Sequence, residues 1–406
     1  MNKQKISAII SPSKLEGKVN AISSKSYAHR AIILAGLAKS KTKIYINEFS
    51  KDIEVTINCL KNLGVEIKFY KGYIEVSPRK KRIDYAKIDL VESGSSLRFF
   101  TACAPLFAKK IDFIASESLA KRPNQDLIRE LSKNGLKFSR DYLPFSLEGE
   151  FKGGNFNFSL DKSSQFISAV LLAGAFGEKP SRININGEIE SKAYIDMTIE
   201  TLKDFGIEVK KKDKSYFINP KKSIEIGKYK VEGDWSNGAF FLVGNSLGNK
   251  IEVKGLNENS IQADRKIIDF IKTYESSSYF DISQCPDLGP ILAILLQKKK
   301  EKSFITNAKR LRIKESNRLI AIRDMINNLG GKAQVIGDSI SIEKNIIGGR
   351  INSYNDHRIV MAAAIGATFC QKKVIIDDCM AVNKSYPNFF NDFKSLGGKV
   401  EFRKDF

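Results

Sequence analysis

The chain has 406 residues, of which 42% are hydrophobic and 10% aromatic, and its formal net charge at pH 7 is +21. This length exceeds that of an ordinary single domain, and the composition is that of a globular protein rather than a disordered one. The charge favours anionic partners such as nucleic acid, acidic membranes or small phosphorylated molecules, although a generally Lys-rich surface gives the same number.

The residue types argue against several kinds of site. The five cysteines are scattered, form no CxxC pair and have no metal-binding spacing, which predicts a reduced cytoplasmic protein. The first residues lack the long apolar region of a signal peptide, and the longest apolar run, FISAVLLAGAF, is too short to span a bilayer. The chain contains no P-loop and no dinucleotide-binding glycine motif. We therefore expect no metal and no cofactor.

Apolar helices, each introduced by a polar turn, recur along the chain. The turns contain Ser26, Ser95, Ser164, Ser236, Asp287 and His357. They are roughly 70 residues apart, with one shorter interval after Ser236. Amphipathic segments end at Gly64, Gly135, Gly206, Gly330 and Gly397, which is typical of helix C-termini. Each unit therefore reads as apolar helix, strand, amphipathic helix and one or two strands.

Six such units predict an α/β protein in which two groups of three units form two similar domains. The fourth unit is shorter and lacks the terminal glycine. The seam between the groups is expected in GKYKVEGDW, at about residues 228–232.

The first turns of the predicted helices carry side chains suited to binding anions. Helix N-termini expose unpaired N–H groups and a partial positive charge. The residues at these positions include Lys25, Ser26, Arg30, Gly94, Ser95, Arg98, Arg122, Ser163, Ser164, Gln165, Ser191, Tyr194, Asp234, Asp287, Lys314, Glu315, Arg318, His357, Arg358 and Lys384. Singly, each is most simply a helix cap or a solvated charge. Together they predict a cleft for a ligand with phosphate and carboxylate groups.

Nine motifs in order carry a family resemblance. They are SSKSYAHR, ESGSSLRF, KRP, SSQF, SKAYID, CPDLGP, RIKESNR, YNDHR and NKSYP. From about residue 10 to about residue 390 the chain resembles the 3-phosphoshikimate 1-carboxyvinyltransferase (EPSP synthase) family. The resemblance implies an inside-out α/β barrel in each of two domains, built from three βαβαββ units with helices inside and sheets outside. It implies one domain at 18–228, a second made of 1–17 plus 229–406, and a substrate cleft between them.

The resemblance also implies a reaction and a set of residue roles. The enolpyruvyl group of phosphoenolpyruvate is transferred to the 5-hydroxyl of shikimate 3-phosphate, releasing phosphate, in the pathway to chorismate and the aromatic amino acids. Asp287 would accept the hydroxyl proton, Glu315 would handle the methylene proton, and Lys25 would lie close to both substrates. A monomer, and inhibition by glyphosate at the phosphoenolpyruvate site, are expected as well.

The implied binding residues form two overlapping sets. Those for phosphoenolpyruvate are Lys25, Gly94, Arg122, Gln165, Arg318, His357, Arg358 and Lys384. Those for shikimate 3-phosphate are Lys25, Ser26, Arg30, Ser163, Ser164, Gln165, Ser191, Asp287 and Lys314.

Three positions depart from the family pattern, and two alternatives stay open at this point. Ser23, Glu92 and Arg310 stand where a Gly and two Asn residues are frequent. The related UDP-N-acetylglucosamine enolpyruvyl transferases depend on a Cys in a mobile loop, whereas Cys103 lies in an apolar run here. A nucleic-acid-binding protein would account for the charge, but no Lys/Arg tract with interleaved aromatics is present.

Overall fold

The computed structural model describes residues 6–159, 164–187, 191–221, 223–343 and 345–404, and the chain divides into two compact units. One is continuous in sequence (Ser23–Glu232) and is called the contiguous unit. The other combines Met1–Ile22 with Gly233–Phe406 and is called the split unit. In the part of the chain that is described, no helix has the length and apolarity needed to cross a membrane.

The strands are short and mostly alternate between buried and exposed residues. In chain order they are β1 (Ile6–Ser11), β2 (Glu16–Asn20), β3 (Thr42–Tyr45), β4 (Glu66–Tyr70), β5 (Tyr73–Ser77), β6 (Ile83–Asp89), β7 (Ala108–Ile114), β8 (Lys137–Phe138), β9 (Phe145–Glu148), β10 (Gly154–Ser159), β11 (Ser181–Asn186), β12 (Val209–Lys212), β13 (Ser215–Ile218), β14 (Lys228–Lys230), β15 (Lys250–Lys254), β16 (Tyr279–Asp281), β17 (Ser303–Thr306), β18 (Lys332–Ile336), β19 (Ser339–Glu343), β20 (Gly349–Asn352), β21 (Val374–Asp377) and β22 (Lys399–Lys404).

Helices alternate with these strands. They are α1 (Lys25–Leu37), α2 (Lys51–Asn62), α3 (Gly94–Cys103), α4 (Glu117–Ala120), α5 (Gln125–Lys133), α6 (Ser164–Gly174), α7 (Ala193–Asp204), α8 (Trp235–Ser246), α9 (Ile267–Thr273), α10 (Gly289–Leu295), α11 (Arg318–Asn328), α12 (His357–Ala367) and α13 (Phe389–Ser395). Short 3₁₀ segments lie at Ala104–Leu106, Ala263–Lys266, Pro286–Leu288, Leu296–Lys298, Lys309–Ile313 and Cys379–Lys384.

One sheet topology is repeated in the contiguous unit. Its sheets have the orders β14-β3-β5-β4, β6-β7-β9-β8 and β10-β11-β13-β12. In each, the first two strands are parallel and the other pairings are antiparallel. Parallel neighbours need a crossover, which α3 supplies between β6 and β7. This is the βαβαββ unit that the sequence predicts.

The split unit repeats this topology in the sheets β16-β17-β19-β18 and β20-β21-β1-β22, and its third sheet has only β15 and β2. Strand β1 pairs antiparallel with β21 and β22, so that Ala8 lies opposite Ile376 and Phe402. Strand β2 precedes α1 but pairs with β15, whereas β14 precedes α8 but pairs with β3. The strand that directly precedes the first helix of one unit therefore belongs to a sheet of the other unit. The predicted α/β fold class is confirmed.

Each unit has apolar helices inside and sheets outside. All eleven residues of α12 are buried, and α8, α10 and α12 pack against one another. The second helices are amphipathic: α5 buries mainly Leu127, Ile128 and Leu131. Strands such as β6 alternate buried and exposed residues, as expected for a sheet with one solvent-facing side. The central helices are apolar after the first turn, so their polar residues are concentrated at the N-terminal ends.

Candidate functional site

The residues assigned from sequence divide between the two units, and the set in each unit is called a cluster. The contiguous-unit cluster contains Lys25, Ser26, Arg30, Gly94, Arg122, Ser164, Gln165 and Ser191. The split-unit cluster contains Asp287, Lys314, Glu315, Arg318, His357, Arg358 and Lys384. Ser163 lies outside the described residues.

Arg318 is the centre of the split-unit cluster. It is the first residue of α11, and its side chain is 0% exposed. Its guanidinium donates through Nη1 to Asp287 Oδ1 at 2.7 Å and through Nη2 to Glu315 Oε2 at 2.5 Å. It also donates through Nε and Nη2 to Asp356, at 2.7 and 3.2 Å. Three carboxylates outweigh the effect of burial and raise the pKa of Arg318 well above its usual value.

Asp287 contacts three cations. Besides Arg318, its carboxylate lies 3.1 Å from Lys314 Nζ and 3.2 Å from Arg358 Nη2. Burial by itself raises the pKa of Asp287, but the charges of Arg358, Lys314 and Arg318 hold it well below the usual range. Burial also lowers the pKa of Lys314, and Asp287 only partly opposes that effect. The side chain of Asp287 is 15% exposed, so the carboxylate remains accessible from outside the cluster.

Asp356 links the start of α12, where His357 and Arg358 lie, to the rest of the cluster. It is the N-cap of α12, and its carboxylate accepts a hydrogen bond from the backbone N–H of Arg358 at 3.0 Å. The same carboxylate accepts from Ser316 at 3.0 Å and from Arg318. His357 is 1% exposed, and its Nδ1 lies 3.9 Å from Asp356. The cap therefore joins the start of α12 to the start of α11.

Lys384 is linked to the turn that precedes α12. It ends the 3₁₀ segment Cys379–Lys384, and its Nζ donates to the backbone oxygen of Asn355 at 2.8 Å. Tyr354 and Asn355 both have positive φ, 54° and 53°, which non-glycine residues rarely adopt. This strained turn brings Lys384 close to the N-terminal end of α12.

In the contiguous-unit cluster, Arg30 is buried without any carboxylate contact among the described residues. It is 2% exposed, and its Nε donates to Thr198 Oγ1 at 2.7 Å. Its other donors bind the backbone oxygens of Ser26 at 2.6 Å and Tyr194 at 2.9 Å, and the guanidinium lies 5.0 Å from the centre of the Phe99 ring. Burial lowers the pKa of Arg30 to about 10, so it is still cationic at pH 7. Its charge is thus available to an anion.

Lys25 and His29 lie one turn apart on α1. Lys25 Nζ forms an ion pair with Asp52, in the first turn of α2, at 2.8 Å. Burial, then the charges of Lys25 and Arg30, lower the pKa of His29 well below its usual value, so it is neutral. Its Nδ1 lies 2.7 Å from Thr56 Oγ1. This contact begins a buried series of hydrogen bonds that continues through the hydroxyls of Ser96 and Ser93. That series ends at Ser93, the N-cap of α3, and so connects α1, α2 and α3.

Gly94 lies against two guanidinium groups. A Cβ built on Gly94 would be 2.7 Å from Arg122 Nη1 and 3.0 Å from Arg98 Nη1. Arg98 donates to the backbone oxygens of Gly94 at 3.0 Å and Pro123 at 2.9 Å, which ties the start of α3 to the loop that carries Arg122. The absence of a side chain at Gly94 is what lets Arg122 approach the helix.

Gln165, Ser164 and Ser191 complete the contiguous-unit cluster. Gln165 Nε2 donates to Ser95 Oγ at 3.1 Å, which joins the starts of α3 and α6. Ser164 is the first residue of α6 and is 2% exposed. Ser191 is 1% exposed with φ of 53°, and its Oγ has no hydrogen-bond partner within the described ranges. A buried hydroxyl in this state can bind a ligand without losing an existing contact.

Of the three positions that depart from the family pattern, Ser23 and Glu92 have hydrogen-bond partners in their own unit. Ser23 Oγ donates to Asn47 Oδ1 at 2.8 Å, and Ser118 Oγ donates to Glu92 at 3.4 Å. The charge of Arg310 adds to burial in lowering the pKa of Lys314. None of the three removes a residue from either cluster.

Sequence reasoning missed two of the carboxylates that contact the cations, Asp356 and Asp52. Asp356 and Asp52 each precede or begin a helix, so they have the signature of ordinary helix caps. Their side chains instead contact Arg318 and Lys25. Thr198, which accepts from Arg30, is an ordinary mid-helix residue by pattern. Of these three residues, only Asp356 lies in a motif singled out from the sequence, YNDHR.

The two clusters suit different chemistry. The split-unit cluster combines carboxylates that can accept and donate protons with cations that stabilise negative charge. The contiguous-unit cluster offers hydroxyls and cations for binding anions. Together they have the groups needed for a proton-transfer reaction on phosphorylated, carboxylated substrates.

Comparison with known proteins gives a consistent result. The family model described as EPSP synthase (3-phosphoshikimate 1-carboxyvinyltransferase) matches residues 9–393. A 3-phosphoshikimate 1-carboxyvinyltransferase of Clostridium perfringens (strain 13 / Type A) is 38% identical over 415 residues, covering 96% of this chain and 98% of that protein. One from Clostridioides difficile (strain 630) is 35% identical over 426 residues, covering 97% and 98%. The solved structure of an Acinetobacter baumannii EPSP synthase has a similar fold, with a TM-score of 0.82 at 21% identity, covering 98% of this chain and all of that one.

Proposed function

Because this chain belongs to the EPSP synthase family, we propose that Asp287 and Glu315 carry out the proton transfers of that family's reaction. The chain is a transferase of the shikimate pathway. It transfers the enolpyruvyl group of phosphoenolpyruvate to the 5-hydroxyl of shikimate 3-phosphate and releases phosphate. The match over nearly the whole chain favours this activity over a UDP-N-acetylglucosamine acceptor or nucleic-acid binding.

The addition step needs a base at the hydroxyl and a proton at the methylene carbon. The hydroxyl oxygen attacks C2 of phosphoenolpyruvate, its proton passes to Asp287, and the methylene carbon gains a proton through Glu315. In the elimination step Glu315 takes a proton back from that carbon as the bond between C2 and the phosphate oxygen breaks. Arg318 supports this assignment because it contacts both Asp287 and Glu315, at 2.7 and 2.5 Å, and so fixes the distance between the two acids.

Binding of the two substrates is assigned to the cations and hydroxyls of both clusters. For shikimate 3-phosphate we assign Lys25, Ser26, Arg30, Ser163, Ser164, Gln165, Ser191, Asp287 and Lys314. For phosphoenolpyruvate we assign Lys25, Gly94, Arg122, Gln165, Arg318, His357, Arg358 and Lys384. The strongest support for the first set is the buried charge of Arg30, which contacts no carboxylate in the described part of the chain. Because Arg318 is 0% exposed, its role toward phosphoenolpyruvate is electrostatic, acting through the acids that it holds.

The observation that carries the acid/base assignment is that Asp287 and Glu315 contact the same guanidinium, that of Arg318, while the side chain of Asp287 is still 15% exposed. The direct test measures phosphate release with phosphoenolpyruvate alone, with shikimate 3-phosphate alone and with both, in the presence of a chelator. We expect release only with both substrates. Equal release with UDP-N-acetylglucosamine as the acceptor, or loss of activity in the chelator, contradicts the proposal.

A monomeric, cytoplasmic enzyme that binds neither nucleic acid nor membranes is part of the same proposal. All five cysteines are buried thiols, which is usual for proteins of a reducing compartment. Light scattering on the purified protein tests the monomer. A salt-dependent gel shift with duplex DNA or single-stranded RNA tests whether the charge of +21 has a polyanionic partner.

A further inference from the structure

Another carboxyl group of the split unit, that of Asp264, is buried and has no role in the mechanism above. Asp264 lies in the 3₁₀ segment Ala263–Lys266 and is 2% exposed. Ser236 Oγ donates a short hydrogen bond to its Oδ2, while its Oδ1 is buried and has no partner within the described part of the chain. This segment and the one that carries Asp287, Pro286–Leu288, both pack against α8.

Among the residues that the structure describes, none of the cations of the cluster forms an ion pair with Asp264. Lys314, Arg318 and Arg358 all contact Asp287, and Arg318 also holds Glu315 and Asp356. Three cations thus face three carboxylates. An ionised carboxylate that is buried with one hydroxyl as its partner is unfavourable unless a nearby charge compensates it.

The groups around Asp264 place its titration within the physiological range. Burial, followed by the negative charge of Asp287, raises the pKa of Asp264 to about 6. Arg358 and the Ser236 hydrogen bond oppose this rise, and Asp234, the N-cap of α8, adds to it. The Cys285 thiol also faces Asp264, and burial raises its pKa so that it is uncharged at pH 7. Arg265 and Lys266, on the same segment as Asp264, are exposed to solvent.

The cations create a difficulty for Asp287 as a base. They stabilise its negative charge so strongly that its carboxylate has little tendency to accept a proton. General bases are most effective when their pKa lies near the working pH. A second negative charge close by counteracts the cations, because it makes proton uptake by Asp287 more favourable.

We propose that Asp264 is a positioning residue for the transfer reaction, a buried negative charge that strengthens Asp287 as the base for the 5-hydroxyl proton. This inference rests on the assignment of Asp287 in the proposed function. Above about pH 6 Asp264 is ionised and Asp287 is the stronger base. Below that pH Asp264 holds a proton, which Ser236 can accept in a hydrogen bond, and the effect on Asp287 disappears.

The test compares the pH dependence of turnover in wild type, Asp264→Asn, Ser236→Ala and Asp269→Asn. Asp264→Asn keeps the shape of the side chain but never carries a charge. We expect its turnover to fall about threefold to tenfold at pH 8 and to approach that of wild type near pH 5.5. Ser236→Ala removes the bond that favours the ionised form, so the inflection near pH 6 should move to higher pH. Asp269→Asn is the matched control, because Asp269 is an exposed carboxylate on α9.

A second readout is independent of activity. In protein labelled with ¹³C at the aspartate carboxyls, one resonance should titrate near pH 6 and should be missing from Asp264→Asn. If no aspartate resonance titrates between pH 5 and 7, or if the pH profiles of Asp264→Asn and wild type superimpose, the inference is wrong. Asp287→Asn distinguishes a failure of this inference from a failure of the base assignment. If that variant is inactive while Asp264→Asn matches wild type, only this inference fails; if Asp287→Asn is fully active, the assignment of the base fails first.

Discussion

Arg30 and Arg318 are both fully buried arginines in the candidate site, yet their surroundings are opposite. Arg318 contacts three carboxylates, whereas Arg30 contacts a threonine hydroxyl, two backbone oxygens and an aromatic ring. The charge of Arg318 is therefore neutralised within the split unit. The contiguous unit keeps a buried cation whose charge the described residues leave unbalanced.

This difference corresponds to the two proposed tasks of these residues, which are anion binding and proton transfer. Neutral partners satisfy the hydrogen bonds of a guanidinium without cancelling its charge, so Arg30 keeps its attraction for an incoming phosphate or carboxylate. Closely coupled acids and cations, as around Asp287, instead set the proton affinity of each acid through its neighbours. In the proposed function Arg30 therefore binds a substrate anion, whereas the acids around Arg318 transfer protons.

The strongest way to break this comparison is to remove the acids of the split unit. Asp287→Asn and Glu315→Gln keep the side-chain shape and remove proton transfer, so we expect turnover to fall on the order of 100-fold to 10,000-fold each. Substrate KM values should change little by comparison. Asp338→Asn, at an exposed carboxylate of the same unit, is the control. Near-normal turnover in both carboxylate variants means that proton transfer occurs elsewhere.

The same substitution at the two arginines sharpens the comparison. Arg318→Met leaves Asp287, Glu315 and Asp356 without their shared cation, and we expect it to lower the free energy of unfolding by about 3–5 kcal/mol. Arg30→Met breaks no ion pair with any described residue, so its cost should stay at about 1 kcal/mol. That variant should instead weaken shikimate 3-phosphate binding about tenfold to a hundredfold. Urea unfolding and calorimetric titration measure the two effects, and equal destabilisation by both variants contradicts the comparison.

Gly94→Ala tests whether phosphoenolpyruvate binding depends on the close approach of Arg122 to the start of α3. The new methyl group would lie 2.7 Å from Arg122 Nη1, so the flexible arginine must move away. We expect the KM for phosphoenolpyruvate to rise about tenfold, because a charge-assisted contact is lost. Wild type should be inhibited by glyphosate competitively with phosphoenolpyruvate, and the variant should be resistant, since the longer inhibitor loses more room.

Arg122→Ala is the partner in a double-mutant cycle with Gly94→Ala. If the methyl group acts by displacing Arg122, Gly94→Ala adds little to the KM of Arg122→Ala. Additive effects, or a wild type insensitive to glyphosate far above its phosphoenolpyruvate requirement, argue against this explanation.

The smallest expected effect concerns His29 in the contiguous unit. Burial holds its pKa well below 6.5 in the folded chain, whereas in the unfolded chain it gains a proton near pH 6.5. The unfolded state therefore binds more protons below that pH, and stability falls as the pH falls, by at most about 1.4 kcal/mol per pH unit. His29→Gln should flatten the dependence of unfolding free energy on pH between 7 and 5. An unchanged slope would mean that the folded chain also protonates His29.

Local chemistry allowed much of the fold to be predicted from sequence. The five helix-ending glycines, Gly64, Gly135, Gly206, Gly330 and Gly397, all have positive φ, as their position after amphipathic segments indicated. The polar turns before the apolar helices also fall at helix starts, including Lys25, Ser164 and His357. Such signals lie within a few residues of the feature that they specify.

The remainder depends on contacts between residues that are distant in sequence. The burial of Arg318 beneath acids from three segments has no local signature. The pairing of β14 with β3 is equally non-local. So are the ion pairs of Asp52 and Asp356, because the position of each residue at a helix start predicts only a helix cap. Sequence motifs identified the residue types of the site but not which of them neutralise one another.

The split unit is built from two separate stretches of sequence, which has a consequence for synthesis on the ribosome. Every strand of the contiguous unit's sheets lies between Thr42 and Lys230, so that unit can complete its hydrogen bonding while the rest of the chain is still being made. Strand β1 has to wait for β21 and β22, which are translated more than 360 residues later. The N-terminal strand, made first, is thus among the last to pair, and the split unit completes its sheets only after the contiguous unit can fold.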